Sequence, residues 1–142
     1  MNSAIEVQSA RSIDVINVTS RLAGLVRDID DGLALFYAPH TTVVLLVSED
    51  DDALRRDLAR VASSLLAPLR PFEHVRNDKP NAEAHIISAL GGTSLVIPVT
   101  RGELDLGTYQ NILLIELDGP RNREIHCKKI SRAKSGAGRD EG

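Results

Sequence analysis

Val43-Val44-Leu45-Leu46-Val47, followed by Ser48-Glu49-Asp50-Asp51-Asp52 and then Leu54, decides how the chain folds. Five successive apolar residues, three of them β-branched, fit a strand covered on both faces better than one with a wet side. The acids after it lead into Leu54, Leu58, Val61, Leu65 and Leu66, the i, i+4, i+7, i+11 spacing of an amphipathic helix. Carboxylates at its start are favourable to the positive end of the helix dipole, and Pro68 marks its end. A buried strand running into a one-sided helix is the signature of a mixed domain.

Upstream, Leu33 to Tyr37 reads as a second central strand, joined to the first through Ala38-Pro39-His40. Ile5-Glu6-Val7 and Ile13 to Val18 alternate as half-buried strands do, and Thr19 offers an N-cap to a helix carrying Leu22, Leu25, Val26 and Ile29 on one face. Downstream, Pro68 to Pro80 shows neither period and reads as a loop. Asn81 can cap a short helix through Leu90, closed by Gly91-Gly92. Strand-like runs at Ser94 to Val99, Gln110 to Leu117 and Arg123 to Ile130, with a turn at Arg101-Gly102, predict a β-meander. The expected fold class is α+β: a single compact domain over 1–130, a β-sheet with about three helices. Residues 131–142, rich in Gly, Ser and charge, are expected to be a disordered tail.

Composition narrows the function. A net charge of −3, a pI near 5.8 and only two Phe and two Tyr argue against binding nucleic acid. No run of 18 apolar residues and no basic-then-apolar leader is present, so neither a membrane span nor a secretory signal is expected. The single cysteine, Cys127, has no partner within the chain and reads as a reduced strand residue, which favours a cytoplasmic location.

Four places carry candidate chemistry. His40, His74 and His85 stand in loops or at a helix start, and imidazoles so spread can converge on a metal or an anion. The competing reading is that each meets a local partner or water. His126, on an alternating strand, is read as a surface residue. The acids 49–52 can hold Mg²⁺ with substrate phosphate or can serve as a helix start, Glu49 having the better functional claim. Gly107, Thr108 and Gln110 surround a glycine that permits close backbone approach. On one regular strand Gln110, Glu116 and Asp118 would share a face, as a pocket wall or as a wet sheet surface. Arg121 and Arg123, past Gly119-Pro120, can clamp a phosphate or sit in a solvated turn.

Taken in order, these pieces resemble the YjbQ-like family. The matching residues are His40-Thr41-Thr42 before the buried strand, Glu49, Arg55-Arg56-Asp57-Leu58, His74, and Asn81-Ala82-Glu83-Ala84-His85. Next come Gly91-Gly92-Thr93-Ser94, Ile97-Pro98-Val99, Leu106-Gly107-Thr108-Tyr109-Gln110, Glu116, and Asp118-Gly119-Pro120-Arg121 with Arg123. The resemblance spans about Ile5 to Ile130. It implies a homotrimer, a site near subunit contacts in which His40, His74 and His85 hold a divalent metal, zinc or magnesium, and a small phosphorylated substrate. It further implies a weak thiamine-phosphate synthase, which joins hydroxymethylpyrimidine diphosphate to thiazole phosphate and releases pyrophosphate. On this reading His40, Glu49, Glu116 and Arg121 are catalytic, while Thr41, Asn81, Gly107, Thr108 and Gln110 bind substrate. The alternatives are a metal-dependent phosphate-ester hydrolase and a non-catalytic trimeric protein binding a metal or small anion. Two departures stand out: Tyr109 where the family has tryptophan, and Asn77 where it tends to have glycine.

Overall fold

The apolar run at 43–47 belongs to a three-stranded antiparallel sheet of order β2 (Asp14–Asn17), β7 (Asn111–Glu116), β4 (Val43–Ser48). The computed structural model describes residues 2–75 and 80–133. The small sheet is the middle layer of three. One face, carrying Val43, Leu45, Ile112 and Leu114, packs on a five-stranded antiparallel sheet. The other, carrying Val44, Leu113, Ile115 and Leu117, packs under two helices. Burial on both sides explains why β4 and β7 read as continuous apolar runs.

The larger sheet has the order β1 (Asn2–Gln8), β8 (Asn122–Ser131), β3 (Asp31–Tyr37), β5 (Ser94–Thr100), β6 (Glu103–Leu104). Its inner face supplies Val7, Ala34, Phe36, Ile97, Val99, Ile125 and Cys127 to the main core. Cys127 is free and buried, and burial pushes its thiol above the ordinary range. Among the described residues no layer covers its outer face, so β3 is buried on one side only, unlike the two-sided strand the sequence suggested. Leu33 (41% exposed), Tyr37 (45%), Val96 (57%) and Ile130 (57%) all stand on that outer face.

Helix α2 (Asp52–Ser64) starts as its sequence requires: Asp51 is the N-cap and accepts the Leu54 N–H at 2.7 Å. A 3₁₀ turn, Ala67–Leu69, follows it. Helix α3 (Ala82–Gly91) lies against β4, with Gly91 at the closest approach. A Cβ there would stand 2.7 Å from a Val44 methyl carbon, so only glycine fits. Gly92, at φ 90°, turns the chain out of the helix.

Three expectations need correction. The first helix, α1, covers only Thr19–Ala23. Beyond it Leu25, Val26 and Ile29 bond three residues back, so Leu22, Val26 and Ile29 reach the core from tight turns that share the helical apolar spacing. Thr19 is no N-cap: its Oγ1 accepts the Ile112 N–H at 2.8 Å, and Asn17 Oδ1 receives the Thr19 N–H. The later strands do not form a meander either, because β7 joins the small sheet while β6 and β8 lie in the large one. The domain also runs past residue 130, for Ser131 still pairs with Gly32. Residues 134–142 of the expected tail, and Asn77, lie outside the described residues. Among the described residues no helix is long and apolar enough to cross a membrane.

Candidate functional site

Glu116 and Arg123 hold the two sheets together at one end. Glu116 ends β7, Arg123 is near the start of β8, and both side chains are buried, with Arg123 Nη2 2.5 Å from Glu116 Oε2 and Nε 2.8 Å from Oε1. Two further donors complete the carboxylate: Ser9 Oγ at 2.8 Å on Oε1 and the Asp118 N–H at 3.0 Å on Oε2. Burial by itself would raise the Glu116 carboxyl. The hydrogen bonds from Arg123, Asp118 and Ser9, with the Arg123 charge, outweigh it and hold the group below the usual carboxylate range. A carboxylate so saturated and so acidic is poorly suited to accept a proton or bind a metal. It anchors the loop that follows, while Arg123 Nη2 also donates to Thr42 Oγ1 at 2.7 Å.

That loop carries Asp118 and Arg121. Arg121 donates Nε to the Asp118 carbonyl and Nη2 to Asp118 Oδ2, both at 2.8 Å, so one edge of its half-exposed guanidinium is held by Asp118 and Nη1 takes no part in either bond. Asn81 Nδ2 reaches the same Oδ2 at 3.1 Å and ties α3 to the loop, which is why Asn81 makes no cap bond. Its Oδ1 is buried and has no partner among the described residues. A groove of about 220 Å³ runs beside Asn81 and Asp118. His85, one helical turn after Asn81, meets His74 from the loop, their ring centroids 4.8 Å apart at 78°.

His40 is placed differently. Its Nε2 accepts the Glu124 N–H at 2.9 Å, which makes Nδ1 the protonated nitrogen. Burial first, and the Arg123 charge second, lower its affinity for a proton. Thr41 beside it is exposed, whereas Thr42 is buried.

The remaining candidates stand at the other end of the small sheet. Asn111 pairs with Ser48 at one end of β7 and Glu116 with Val43 at the other, roughly 17 Å along the strand. Glu49 follows Ser48 and is exposed, while Asp50 takes both Arg55 Nε and Nη2 at 2.5 Å, which keeps its carboxyl acidic. Gln110 precedes β7 and does not share a strand face with Glu116: its Oε1 accepts the Gly107 N–H at 2.7 Å within an exposed turn that includes Thr108 and Tyr109. Within one subunit, Glu49 and the Gly107–Gln110 turn are thus set apart from His40, Glu116 and Arg121.

The three histidines do not converge as a set. Among the described residues no group of three or more His, Cys, Asp or Glu is placed to hold a metal, and His40 has one ring nitrogen engaged by backbone. The His74–His85 pair is the donor set that remains. Ser9 and Thr42 were not singled out from sequence. Parity was a usable signal for the buried pair: Arg123 shares a face with Ile125 and Cys127, and Glu116 with Ile112 and Leu114, so two charges on core faces demanded each other.

Comparison with known proteins agrees with this architecture. Residues 3–132 match the family described as UPF0047 protein YjbQ-like. A UPF0047 protein of Archaeoglobus fulgidus is 36% identical over 89% of this chain and 98% of its own length, and the UPF0047 protein YugU of Bacillus subtilis is 31% identical over 92% and 99%. Among solved structures, a hypothetical protein from Aeropyrum pernix superposes with a TM-score of 0.86 at 33% identity, covering 93% of this chain and 99% of that one. A YbjQ-like protein of unknown function from Sulfolobus solfataricus gives 0.85 at 31%, covering 93% and 97%. The chain belongs to the YjbQ-like UPF0047 family.

Proposed function

We propose that the Asn81–Asp118–Arg121 corner, with His74 and His85 beside it, binds a small phosphorylated substrate together with a divalent cation and carries out a slow transfer reaction that expels pyrophosphate. The observation that supports it best is the meeting of His74 with His85 one turn from Asn81, whose amide leads through Asp118 to Arg121. Two imidazoles suit zinc better than magnesium, which takes oxygen ligands. A cation there supplies charge neutralisation for a departing diphosphate.

The reaction implied by the resemblance is that of thiamine-phosphate synthase. The thiazole nitrogen forms a C–N bond to the pyrimidine methylene as its C–O bond to diphosphate breaks, and the electron pair leaves with pyrophosphate. No proton has to be removed from the nucleophile, so the chemistry needs positioning and charge and no general base. That is compatible with Glu116 acting as an anchor. Arg121 orients a phosphate through the Nη1 that its bonds to Asp118 leave unused, and Asn81 and Asp118 hold Arg121 in place.

Incubation with both precursors and Mg²⁺ or Zn²⁺ tests this, with thiamine phosphate and pyrophosphate followed by mass spectrometry. Slow product formation, lost in His85→Ala, is expected. Inorganic phosphate released from simple esters in place of that product would turn the reading to a hydrolase. Ligand binding without turnover would turn it to a binding protein.

A further inference from the structure

A second groove, of about 570 Å³, lies on another part of the molecule, between α1 and the residues after it on one side and the β5–β6 hairpin on the other. Its walls include Ala23, Leu104 and Leu106, which are apolar, and Arg27, Arg101 and Glu103. Two arginines and one glutamate thus line it. Among the described residues neither Arg27 nor Arg101 has an ion-pair partner, which they share with Arg11, Arg21 and Arg56, whereas Arg55, Arg60, Arg70, Arg121, Arg123 and Arg132 are paired.

The backbone at Arg101 is the second observation. Arg101 has φ 51°, and among the described residues it alone, apart from glycines, adopts positive φ. With Gly102 at φ 76° it forms the tip of the β5–β6 hairpin, where left-handed backbone is cheapest for Asn, Asp or Gly and disfavoured for a long side chain. Arginine here is a poor turn residue. The tip is also docked: the Arg101 N–H donates to the Asp30 carbonyl at 2.5 Å and the Gly102 N–H to that of Ile29 at 2.7 Å. Gly102 packs so closely on Arg27 that a Cβ would fall 2.8 Å from the Arg27 carbonyl oxygen. Backbone contacts therefore fix the two arginines' main chains beside each other, within the lining of the same groove.

From the two unpaired arginines and the groove they share, we infer that this site binds an organic phosphate monoester, the phosphate held between Arg27 and Arg101 and the apolar body laid against Ala23, Leu104 and Leu106. A phosphate monoester carries close to two negative charges near neutral pH, its second pKa being about 6, which matches two guanidinium groups better than a singly charged carboxylate does. Leu106 directly precedes the Gly107–Gln110 turn, so an occupied groove abuts the motif that stands away from the histidine corner. The site is independent of the reaction proposed above.

The test is an amide NMR titration of the ¹⁵N-labelled full chain with phenyl phosphate, using inorganic phosphate and benzyl alcohol as the anion-only and apolar-only probes. Saturable shifts are expected at residues 19–27 and 101–106, with phenyl phosphate binding more tightly than either partial probe. Arg101→Asn and Arg27→Gln should each weaken binding roughly tenfold. Arg101→Asn should at the same time raise the melting temperature, because Asn tolerates the left-handed backbone, so lost affinity in that variant cannot be ascribed to unfolding. A higher melting temperature with unchanged affinity would make Arg101 a turn residue only and overturn the site. So would shifts confined to other residues, no saturable shift, or equal affinity for inorganic and phenyl phosphate.

Discussion

His40 Nε2 receives the Glu124 N–H at 2.9 Å just where β3 has left the β8 ladder, whose last pair is Tyr37 with His126. The imidazole takes the place that a further strand carbonyl would occupy, so His40 extends the sheet by a side chain. A protonated ring has no lone pair to offer at Nε2, and both burial and Arg123 disfavour that state.

Stability should therefore depend on pH through His40. Its folded-state affinity for a proton lies below that of the unfolded chain, whose reference value is 6.5. Above 6.5 both states are neutral and the contribution is fully present. As pH falls through 6.5 the unfolded chain takes up its proton first, and stability declines until the folded pKa is passed. Urea unfolding at pH 7.5 and 5.5 should show this fall in the wild type and a smaller one in His40→Gln. Equal slopes would mean that the bond to Glu124 is not made in solution. Below about 4.5, the reference value for Glu116, a second loss begins as the unfolded chain takes up that proton first, and it continues until the lowered folded pKa is passed.

Breaking that pair should be worse than replacing it. Glu116→Gln leaves the Arg123 charge buried without a counter-ion, and such losses run to about 3–5 kcal/mol. Adding Arg123→Met removes the orphaned charge, so the double variant should recover part of that stability. The denaturation midpoints of the single and double variants decide it. Additive losses would show that the two side chains are not coupled.

How much of this was legible in the sequence depends on the range of the interaction involved. The doubly buried β4, the acidic start of α2 and the Arg101-Gly102 turn follow from local pattern and were readable. The pairing of β8 between β1 and β3, and of β7 between β2 and β4, is long-range, and nothing in a strand's own residues specifies its neighbours. The same holds for the site. His74 with His85, and Asn81 with Asp118 and Arg121, lie in stretches that had drawn attention as motifs. That Glu49 and Gln110 stand a strand's length from Glu116 could not be read, because spacing along the chain carries no information on which end of a sheet a loop occupies.

Assembly is the next expectation. Leu33, Tyr37, Val96 and Ile130 form one apolar stripe on the uncovered face of the large sheet, and an apolar surface of that kind is commonly closed by another subunit. We propose that a homotrimer covers it. Light scattering should return three times the 15.4 kDa subunit mass, and Val96→Lys or Ile130→Lys should lower it while leaving the circular dichroism unchanged. A wild-type monomer at micromolar concentration would remove the trimer.

Arg121 and Arg123, two residues apart, should fail in different ways. Arg121 is half-exposed and its pair with Asp118 sits at the surface, where such an interaction is typically worth no more than about 1 kcal/mol, so Arg121→Ala should leave the melting temperature nearly unchanged. If its guanidinium meets a substrate phosphate, losing that charged hydrogen bond should slow product formation roughly tenfold to a hundredfold. Arg121→Lys keeps the charge but loses the planar edge that grips the Asp118 carbonyl and carboxylate, and should fall between the two. Arg123→Ala removes a buried cation from Glu116 and Thr42 and should lower stability by several kcal/mol before any effect on turnover can be read. Thermal denaturation and initial rates on the same four proteins separate the two roles. Arg121→Ala turning over as fast as the wild type would take the phosphate away from this corner.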